Sequence, residues 1–302
     1  MKRKKNLPIG EKIFVGVNTL IMLFLIVIMF YPFWYCIIAS FNDANDFVMG
    51  PLYFLPRKFS LDNYEFVLAS ELFGVAVRNS ILRTVIGTVV HCVFTGAAAY
   101  GLSRPNLLYR KFYTTIFVIT MYFGGGMIPT YLLYRDLGLL DNFLVYIIPS
   151  MFSFYNCILF MSYYESVPLS LEESARIDGA NTLTVYFRII FPVSKPIFAT
   201  VALYSIVSQW NSWFDTVIYT TSDNLTTLQS IMTKMLDAAE NMKKMMQEMS
   251  MVGGAASSML DNVSPTTVRV ATMVITTFPI AVVYPFFQKY FVKGIMLGSV
   301  KG

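Results

Sequence analysis

Long apolar runs, separated by shorter polar segments, dominate this chain. Six of them are long enough to cross the hydrocarbon core of a bilayer, which takes about 20 residues of helix. They lie near residues 14–38, 79–101, 112–133, 143–162, 196–216 and 267–288. The pattern predicts an all-α, polytopic membrane protein with six transmembrane helices in a single domain that covers residues 1–302.

Glycine and proline residues interrupt two of these runs. Three glycines at 124–126 precede Pro129 in the third run, and Pro279 and Pro285 interrupt the sixth. At membrane depth, a broken helix needs protein or a water-filled cavity to accept its free backbone groups. The breaks indicate either kinks and loosened helix ends, or the wall of a path for a solute.

Composition agrees with a membrane protein. Of the 302 residues, 56% are apolar and only 14% are charged, whereas a soluble domain carries about 25% charged residues. A disordered chain and a coiled coil are excluded. The three cysteines (Cys36, Cys92 and Cys157) and the single histidine, His91, all lie in apolar runs. We therefore expect no disulfide and no metal site, and a packed or hydrogen-bonded His91.

The charge distribution predicts the orientation. With the N-terminus inside, 14 of the 23 Lys and Arg residues but only five of the 18 acidic residues lie on the inner side. Positive charge favours the cytoplasmic side of a membrane. Six helices with both termini in the cytoplasm satisfy this rule, with an inner loop at 163–195 and an outer loop at 217–266.

The inner loop carries helix signals. Ser170 and Glu173 have the spacing of a capping box, and Gly179 is placed to end a helix. The sequence predicts a short helix over 171–178, followed by a second helix that Thr182 caps and that ends near Pro192.

This loop also resembles a known motif. Glu173-Ser174-Ala175, three residues, Gly179, nine residues, Ile189, one residue and Phe191-Pro192 match the spacing of the EAA loop of ABC-importer permeases, E-A-A-x3-G-x9-I-x-L-P. Ser174 and Phe191 depart mildly from it. The resemblance implies that the loop couples the chain to a separate ATPase subunit. The coupling residues would be Glu172, Glu173, Ala175, Asp178, Gly179, Ile189 and Pro192.

Other segments resemble the carbohydrate branch of these permeases, of the maltose and oligosaccharide type. They include 99–104 (Ala-Tyr-Gly-Leu-Ser-Arg), 209–211 (Gln-Trp-Asn) and 124–130 (Gly-Gly-Gly-Met-Ile-Pro-Thr). The resemblance implies import of an oligosaccharide or complex glycan fragment across a bacterial plasma membrane. The implied partners are a second homologous permease in a heterodimer, two ATPase subunits, and an extracellular solute-binding protein or lipoprotein. Permeases for a non-sugar solute and secondary transporters are the alternatives.

Motifs for chemistry within the chain are missing from the sequence. No G-x-x-x-x-G-K-[ST] phosphate loop occurs, and no paired carboxylates fall within the apolar runs. We therefore expect no enzyme activity and no cofactor in this chain, with ATP and Mg²⁺ bound by the partner ATPase.

Two further groups of residues are candidates for contacts with other molecules. The residues that could contact a sugar, or instead form an interfacial aromatic belt, are Tyr204, Gln209, Trp210, Asn211, Trp213 and Phe214; we expect Asp215 beside them at the membrane interface. A heptad-spaced stripe contains Leu228, Met232, Met235, Ala239, Met242, Met246 and Met249. It could pack within the permease pair or contact the binding protein; copper binding by the thioethers is a further alternative.

Overall fold

The computed structural model describes residues 8–235 and 264–298. These ranges are mainly helical, and they contain no strand beyond one isolated antiparallel bridge between Asn42 and Phe59. The all-α fold class is confirmed for this part of the chain.

In chain order the α-helices are α1 (Ile9–Ser40), α2 (Ala44–Val48), α3 (Asp62–Leu68), α4 (Glu71–Ser103), α5 (Arg110–Tyr122), α6 (Met127–Asp136), α7 (Phe154–Ser166), α8 (Ser170–Ile177), α9 (Thr182–Val185), α10 (Phe191–Val193), α11 (Lys195–Asn211), α12 (Phe214–Tyr219) and α13 (Pro265–Gly298). Short 3₁₀ helices lie at Phe143–Tyr146 and Asp223–Leu225, a π-helical turn lies at Tyr186–Ile190, and residues 228–235 are also helical.

Three described helices are long and apolar enough to cross a membrane: Ile9–Ser40, Glu71–Ser103, and Thr266–Val283 within α13. Two bent pairs pass the same test when each is taken as one span. They are α5 with α6, bent by 113°, and Thr182–Val193 with α11, bent by 82°. The described residues therefore hold up to five spans by length and composition, and this does not reach the six that the apolar runs predict.

The apolar run that does not pass this test is the fourth, 143–162. It divides into the 3₁₀ helix Phe143–Tyr146 and the 13-residue helix α7. Thirteen residues of α-helix measure about 20 Å, less than the roughly 30 Å of a hydrocarbon core. The side chain of Ser153 accepts a hydrogen bond from the amide of Asn156 and so caps the start of α7.

The two sets of helix breakers behave differently. The glycines at 124–126 do break the third run, because α5 ends at Tyr122 and α6 begins at Met127 after Gly126 adopts a φ of +82°. Pro279 and Pro285, by contrast, lie inside the continuous helix α13. The sixth run therefore contains no break within its described residues, and the kink that the prolines indicate stays a prediction. In membrane helices, neighbouring groups can satisfy the backbone carbonyls that a proline leaves free.

The chain forms two compact units. In the first, which contains described residues 8–69, 235 and 264–275, the buried Asn63 ties three segments together. Its side-chain nitrogen donates to the carbonyls of Ser40 (3.1 Å) and Asn42 (2.9 Å), and its side-chain oxygen accepts from the hydroxyl of Thr267 (2.7 Å). The end of α1 is thereby joined to the start of α13.

The second unit contains described residues 70–234 and 276–298. Helix α4 packs against both α7 and α11 at its centre. The main buried cluster includes Tyr100 of α4, Phe160 and Tyr164 of α7, and Tyr186 and Ile190 of the π-helical turn. The loop that carries the EAA-like motif is therefore packed directly onto the helices of this unit.

Candidate functional site

Helix α8 ends where the sequence predicts. Gly179 has a φ of +83°, a left-handed conformation that glycine adopts without a Cβ penalty. Its amide donates to the carbonyl of Arg176 (3.0 Å), and the next amide, of Ala180, donates to Ala175 (2.9 Å). These two bonds form a Schellman motif, which satisfies the last carbonyls of the helix and turns the chain sharply toward α9.

The predicted start of α8 is wrong. Leu169, not Ser170, occupies the cap position, and no side chain caps this end. The backbone is already helical at Leu169, whose carbonyl accepts from the amides of Glu172 and Glu173 (2.9 and 3.0 Å). Ser170 is therefore inside the first turn, and the capping box with Glu173 does not form. At the second helix, Asn181 replaces Thr182 as the cap, and its side chain accepts from the amide of Thr184 (2.8 Å).

Helix α8 has one buried and one exposed face. Glu172 is buried, and Ala175, three positions later, packs partly against the core. The other predicted coupling residues divide in the same way: Ile189 is partly buried, whereas Glu173, Asp178, Gly179 and Pro192 are exposed. Residues three or four apart share a helix face, so the exposed face of α8 is available to another molecule.

Large apolar side chains lie on this exposed surface. Ile177 at the end of α8 is 86% exposed, and Leu183 and Phe187 in the following segment are also exposed. We call these three residues, together with Glu173, the loop surface. A surface that combines exposed apolar side chains with charged residues is typical of a protein interaction site.

The buried carboxylate of Glu172 fastens α8 to the last turn of α4. Glu172 is only 4% exposed; its Oε1 accepts from Arg104 Nη1, and its Oε2 accepts from the hydroxyl of Tyr100 (3.1 Å). Arg104 also donates to the carbonyl of Tyr164 (3.3 Å), and its guanidinium lies 4.8 Å from the centre of the Tyr100 ring. We call Tyr100, Arg104 and Glu172 the Glu172 cluster.

The sequence alone did not assign a role to Arg104 or Tyr100. Both lie in the 99–104 segment that resembles the carbohydrate branch of the permeases. An arginine that directly follows a long apolar run was a usable signal, because such a charge needs a partner if it is buried.

A polar stripe follows one face of α4. The stripe residues that hydrogen-bond to the backbone of other segments are Asn79, Ser80, Arg83, His91 and Thr95. Their backbone partners are Asn224 and Thr226, Leu228, Ser212, Ser150 and Met151, respectively. These partners lie in turns or irregular segments, in the 3₁₀ helix Asp223–Leu225, or at the first residue of an α-helix. The stripe thus satisfies backbone groups that α-helical hydrogen bonding leaves free.

His91 is the packed, hydrogen-bonded histidine that the sequence analysis expects. Its Nδ1 donates to the carbonyl of Ser150 (2.7 Å), and its Nε2 accepts from the side-chain nitrogen of Asn156 (2.8 Å). One neutral tautomer satisfies both bonds.

At the other end of the stripe, Arg83 is buried in an ion pair. Arg83 is 2% exposed and bonds the two carboxylate oxygens of Asp215 through Nη1 (3.1 Å) and Nη2. Nε and Nη2 also donate to Gln209 Oε1, at 3.3 and 3.1 Å. We call these three residues the Asp215 cluster. Asp215 is therefore the partner of a buried arginine, a role that the sequence analysis did not assign to it.

Gln209 reaches Arg83 because α4 has a glycine beside it. A Cβ at Gly87 would lie 2.5 Å from Gln209 Nε2. That nitrogen instead donates to the hydroxyl of Ser150 (2.6 Å) and to the carbonyl of Tyr146 (3.3 Å). Gly87 thus allows α11 to approach α4 closely.

The structure divides the six candidate sugar contacts into two groups. Gln209 and Trp210 are buried and bonded within the chain; the indole nitrogen of Trp210 donates to the carbonyl of Thr276 (2.9 Å). The exposed group contains Tyr204, Asn211, Trp213 and Phe214. Tyr204 lies within α11 and Asn211 is its last residue, while Trp213 and Phe214 lie at the start of α12. Between the two helices the chain passes through Ser212 in an extended conformation.

Other candidate chemistry has little support in the described residues. All three cysteines are free, with Cys157 buried, and no described group of His, Cys, Asp and Glu side chains could hold a metal. In the methionine stripe, Leu228 is buried, and Met232 and Met235 accept hydrogen bonds from Thr276 and Thr272. The rest of the stripe, from Ala239 to Met249, lies outside the described residues.

Comparison with known proteins identifies the family. The family model described as "Binding-protein-dependent transport system inner membrane component" matches residues 12–297. The polygalacturonan/rhamnogalacturonan transport system permease protein YtcP of Bacillus subtilis (strain 168) is 36% identical, and the match covers 90% of this chain and 92% of that protein. The arabinooligosaccharides transport system permease protein AraQ of the same strain is 24% identical, over 94% of this chain and 95% of that protein.

Solved structures give the same result. A chain from the crystal structure of a bacterial ABC transporter involved in the import of the acidic polysaccharide alginate is 32% identical, with a TM-score of 0.83 over 95% of this chain and 100% of that one. The family that the EAA-like loop indicated is therefore confirmed, as is a position in a bacterial plasma membrane. This chain belongs to the binding-protein-dependent transport system inner membrane components, the permeases of ABC importers.

Proposed function

We propose that this chain is the permease subunit of an ATP-driven importer for a carbohydrate, an oligosaccharide or complex glycan fragment that an extracellular solute-binding protein delivers. The relatives support this substrate class, since their names refer to polygalacturonan, rhamnogalacturonan, arabinooligosaccharides and alginate. The chain translocates the sugar and performs no chemistry on it.

The observation that carries the proposal is the geometry of α8. Its buried face is bonded to α4 through Glu172, while the loop surface faces outward with Ile177 exposed. A short helix held firmly on one side and open on the other can dock into a groove of a separate protein. We assign the loop surface and the predicted coupling residues Asp178, Gly179 and Pro192 to contact with the ATPase subunit.

The proposed assembly contains one copy of this chain, one homologous permease and two ATPase subunits, which bind ATP and Mg²⁺. The chain would cross the membrane six times with both termini in the cytoplasm, which places the 163–195 loop beside the ATPases. Closure of the ATPases on ATP moves α8. The paired permeases then open outward to receive the sugar, and release it inward after hydrolysis.

The exposed residues near the α11–α12 break are the proposed sugar contacts: Tyr204, Asn211, Trp213 and Phe214. Aromatic faces stack on sugar rings, and the asparagine amide can bond hydroxyl groups. Gln209 and Trp210 support this segment from behind, since both are buried and bonded within the chain.

Site-directed crosslinking tests the docking assignment. With the three native cysteines replaced by Ala, Ile177→Cys should crosslink to the co-purified ATPase. Val48→Cys is a matched control; this residue is also highly exposed, at 76%, and the proposed orientation puts it on the outer side of the membrane. A crosslink from position 48 but not from position 177 would overturn the assignment.

A glycan panel tests the substrate class. The reconstituted transporter with its binding protein should show ATPase stimulation by at least one of galacturonate, alginate, arabinose or galactose oligomers. Stimulation by amino acids or peptides alone would refute carbohydrate import. Uptake that needs an ion gradient and no ATPase would favour a secondary transporter.

A further inference from the structure

Helix α4 is bonded at two separate positions to elements that the proposed transport cycle uses. Near its last turn, the Glu172 cluster joins it to α8, and near its first third, the Asp215 cluster joins it to the α11–α12 break. We infer that α4 transmits the movement of α8 to the α11–α12 break, with Arg104 and Arg83 as the positioning residues. This inference rests on the proposed docking of an ATPase on α8.

The first argument is the stiffness of α4. It is a continuous helix of 33 residues, from Glu71 to Ser103, and it contains no proline. Arg83 and Tyr100 are 17 positions apart, or about 26 Å along the axis. An unbroken helix carries a displacement over this distance, whereas the bent pair α5–α6 would absorb it at the glycine break.

The second argument is the strength of the link at the α8 end. Both carboxylate oxygens of Glu172 are bonded, one to an arginine and one to a tyrosine hydroxyl. Removing one member of a buried ion pair leaves an unpaired charge, which is strongly unfavourable. Helix α8 therefore cannot move away from Arg104 cheaply, and its displacement is passed to α4.

The third argument is the link at the other end. Arg83 bonds Asp215 at the start of α12, Gln209 near the end of α11, and the carbonyl of Ser212 between them (3.2 Å). One guanidinium thus holds both sides of the break. The exposed residues Asn211, Trp213 and Phe214 flank Ser212, so a shift of Arg83 changes where the proposed sugar contacts lie.

Close packing joins the two clusters along the length of α4. A Cβ added at Gly96 would lie 2.9 Å from the Phe198 ring of α11, and one added at Gly87 would lie 2.5 Å from Gln209. Closely packed elements cannot slide past one another without clashes. Helices α4 and α11 should therefore shift together.

The experiment uses the complete transporter in proteoliposomes, with its ATPase and binding protein, and measures sugar imported per ATP hydrolysed. Two double variants remove both charges of one pair, so that no buried charge is left alone: Arg104→Gln with Glu172→Gln, and Arg83→Gln with Asp215→Asn. Each should lower the transport ratio by about fivefold or more. A quadruple variant combines all four substitutions. Its transport ratio should be no lower than that of either double variant, because both pairs act in one path.

A matched control pair lies near the same end of α4. Arg110 and Glu165 also form an arginine–glutamate pair between helices, but their side chains are 34% and 46% exposed. Arg110→Gln with Glu165→Gln should leave the transport ratio at the wild-type value. Tyr100→Phe keeps every charge and the ring and removes one bond to Glu172, so it tests the first cluster if the double variant does not fold; it should lower the ratio.

The outcomes separate this inference from the proposed function. Absence of an ATPase crosslink from Ile177→Cys, in the chain whose three native cysteines are replaced by Ala and which carries no other change, would overturn the docking proposal. A retained crosslink, with transport ratios within about twofold of wild type in both double variants, would overturn the role of α4 alone. If the loss of transport ratio in the quadruple variant equals the product of the losses in the two double variants, the two pairs act independently and a single path is also refuted.

Discussion

At the scale of single residues, glycines determine how closely two helices can pack and how sharply the chain can turn. Gly179 needs the left-handed backbone conformation, while no atom lies within 4 Å of the position its Cβ would occupy. Gly87 is helical, but Gln209 occupies the space beside it. One position is restricted by φ and the other by volume, and these two restrictions predict different mutational profiles.

Substitutions at Gly179 should follow backbone preference and not size. A residue with a Cβ in this conformation costs about 1–2 kcal/mol, but Asn tolerates it best. Transport should be nearly normal for Gly179→Asn, reduced for Gly179→Ala and lost for Gly179→Val, with normal amounts of permease in the membrane. Uptake assays on membrane vesicles give the ranking; full transport by the Val variant would contradict the assignment of this turn to coupling.

Substitutions at Gly87 should follow volume. Gly87→Ala forces Gln209 away from Arg83 and Ser150, and overpacking of this kind costs about 1–3 kcal/mol. Gly101, in the same helix, has open space around its missing Cβ. There, Ala should stabilise the helix by about 0.5–1 kcal/mol.

Thermal unfolding of the detergent-purified complex measures both glycine variants. The midpoint should fall for Gly87→Ala and stay level or rise for Gly101→Ala. Equal midpoints for the two would mean that Gln209 can move without loss.

At the scale of elements, short polar contacts hold the connecting loops. The carboxylate of Asp141, after α6, accepts from the amides of Ser222 (2.8 Å) and Thr221 (3.0 Å), after α12. The amide of Asp141 donates in turn to the carbonyl of Tyr219 (2.9 Å). This single residue closes one end of the buried cluster around Tyr219.

The Asp141 contact should depend on pH in one direction. The amides of Ser222 and Thr221 hold the pKa of the Asp141 carboxyl below its ordinary value of 3.8. A lowered pKa means that the stabilisation is complete above that ordinary value and is lost as pH falls through the folded-state pKa. The melting midpoint of the wild-type protein should therefore exceed that of Asp141→Asn by a constant difference from pH 7 to about pH 5. The difference should shrink when the pH falls below the ordinary pKa of 3.8.

A control for this prediction is Asp136→Asn. Asp136 is exposed and pairs only locally, with the adjacent Arg135, so its replacement should leave the melting midpoint unchanged. Asn at 141 also keeps the backbone, because Asp141 has a φ of +52°, which Asn accepts. A difference that widened at low pH would contradict the direction of the pKa shift.

Helix ends that are set by nearby glycines could be predicted from the sequence. Gly179 ends α8, and the glycines at 124–126 divide α5 from α6, as their sequence suggests. The start of α8 was predicted wrongly because the helical backbone begins earlier, just after Pro168, and leaves Ser170 inside the first turn. The run at 143–162 was expected to be one continuous helix, because hydropathy does not distinguish a 3₁₀ turn and a short helix from a single long helix.

At the scale of the whole molecule, the contacts that define the candidate site join distant parts of the sequence. Arg104 and Glu172 are 68 positions apart, and Arg83 and Asp215 are 132 apart. Sequence patterns report neighbours within a few turns, so neither pair could be derived from them. The family was predictable because the EAA-like spacing is local.

The orientation of the chain gives a whole-molecule prediction. The excess of Lys and Arg in the N-terminal tail and in the loop at 163–195 should hold both on the cytoplasmic side. A reporter fused after Gly302 should be active in the cytoplasm, and one inserted at Asn262, which lies outside the described residues, should be active outside the cell. Alkaline phosphatase and fluorescent-protein fusions, compared at both positions, measure this; the opposite pattern would place the EAA-like loop on the wrong side for an ATPase.

The burial of Arg83 has a consequence for how the protein is made. Its partner Asp215 is 132 residues later in the sequence. Because ribosomes add about 5–20 residues per second, Asp215 is synthesised roughly 7–26 s after Arg83. Meanwhile an unpaired arginine within an apolar run disfavours insertion into the bilayer. Helix α1, apolar and with no buried residue in its most apolar window, can enter the bilayer as soon as it is synthesised. The Arg83–Asp215 pair can form only after α11 and α12 have been synthesised. A chain truncated before Asp215 should therefore keep an unpaired arginine in α4 and be a substrate for membrane quality control.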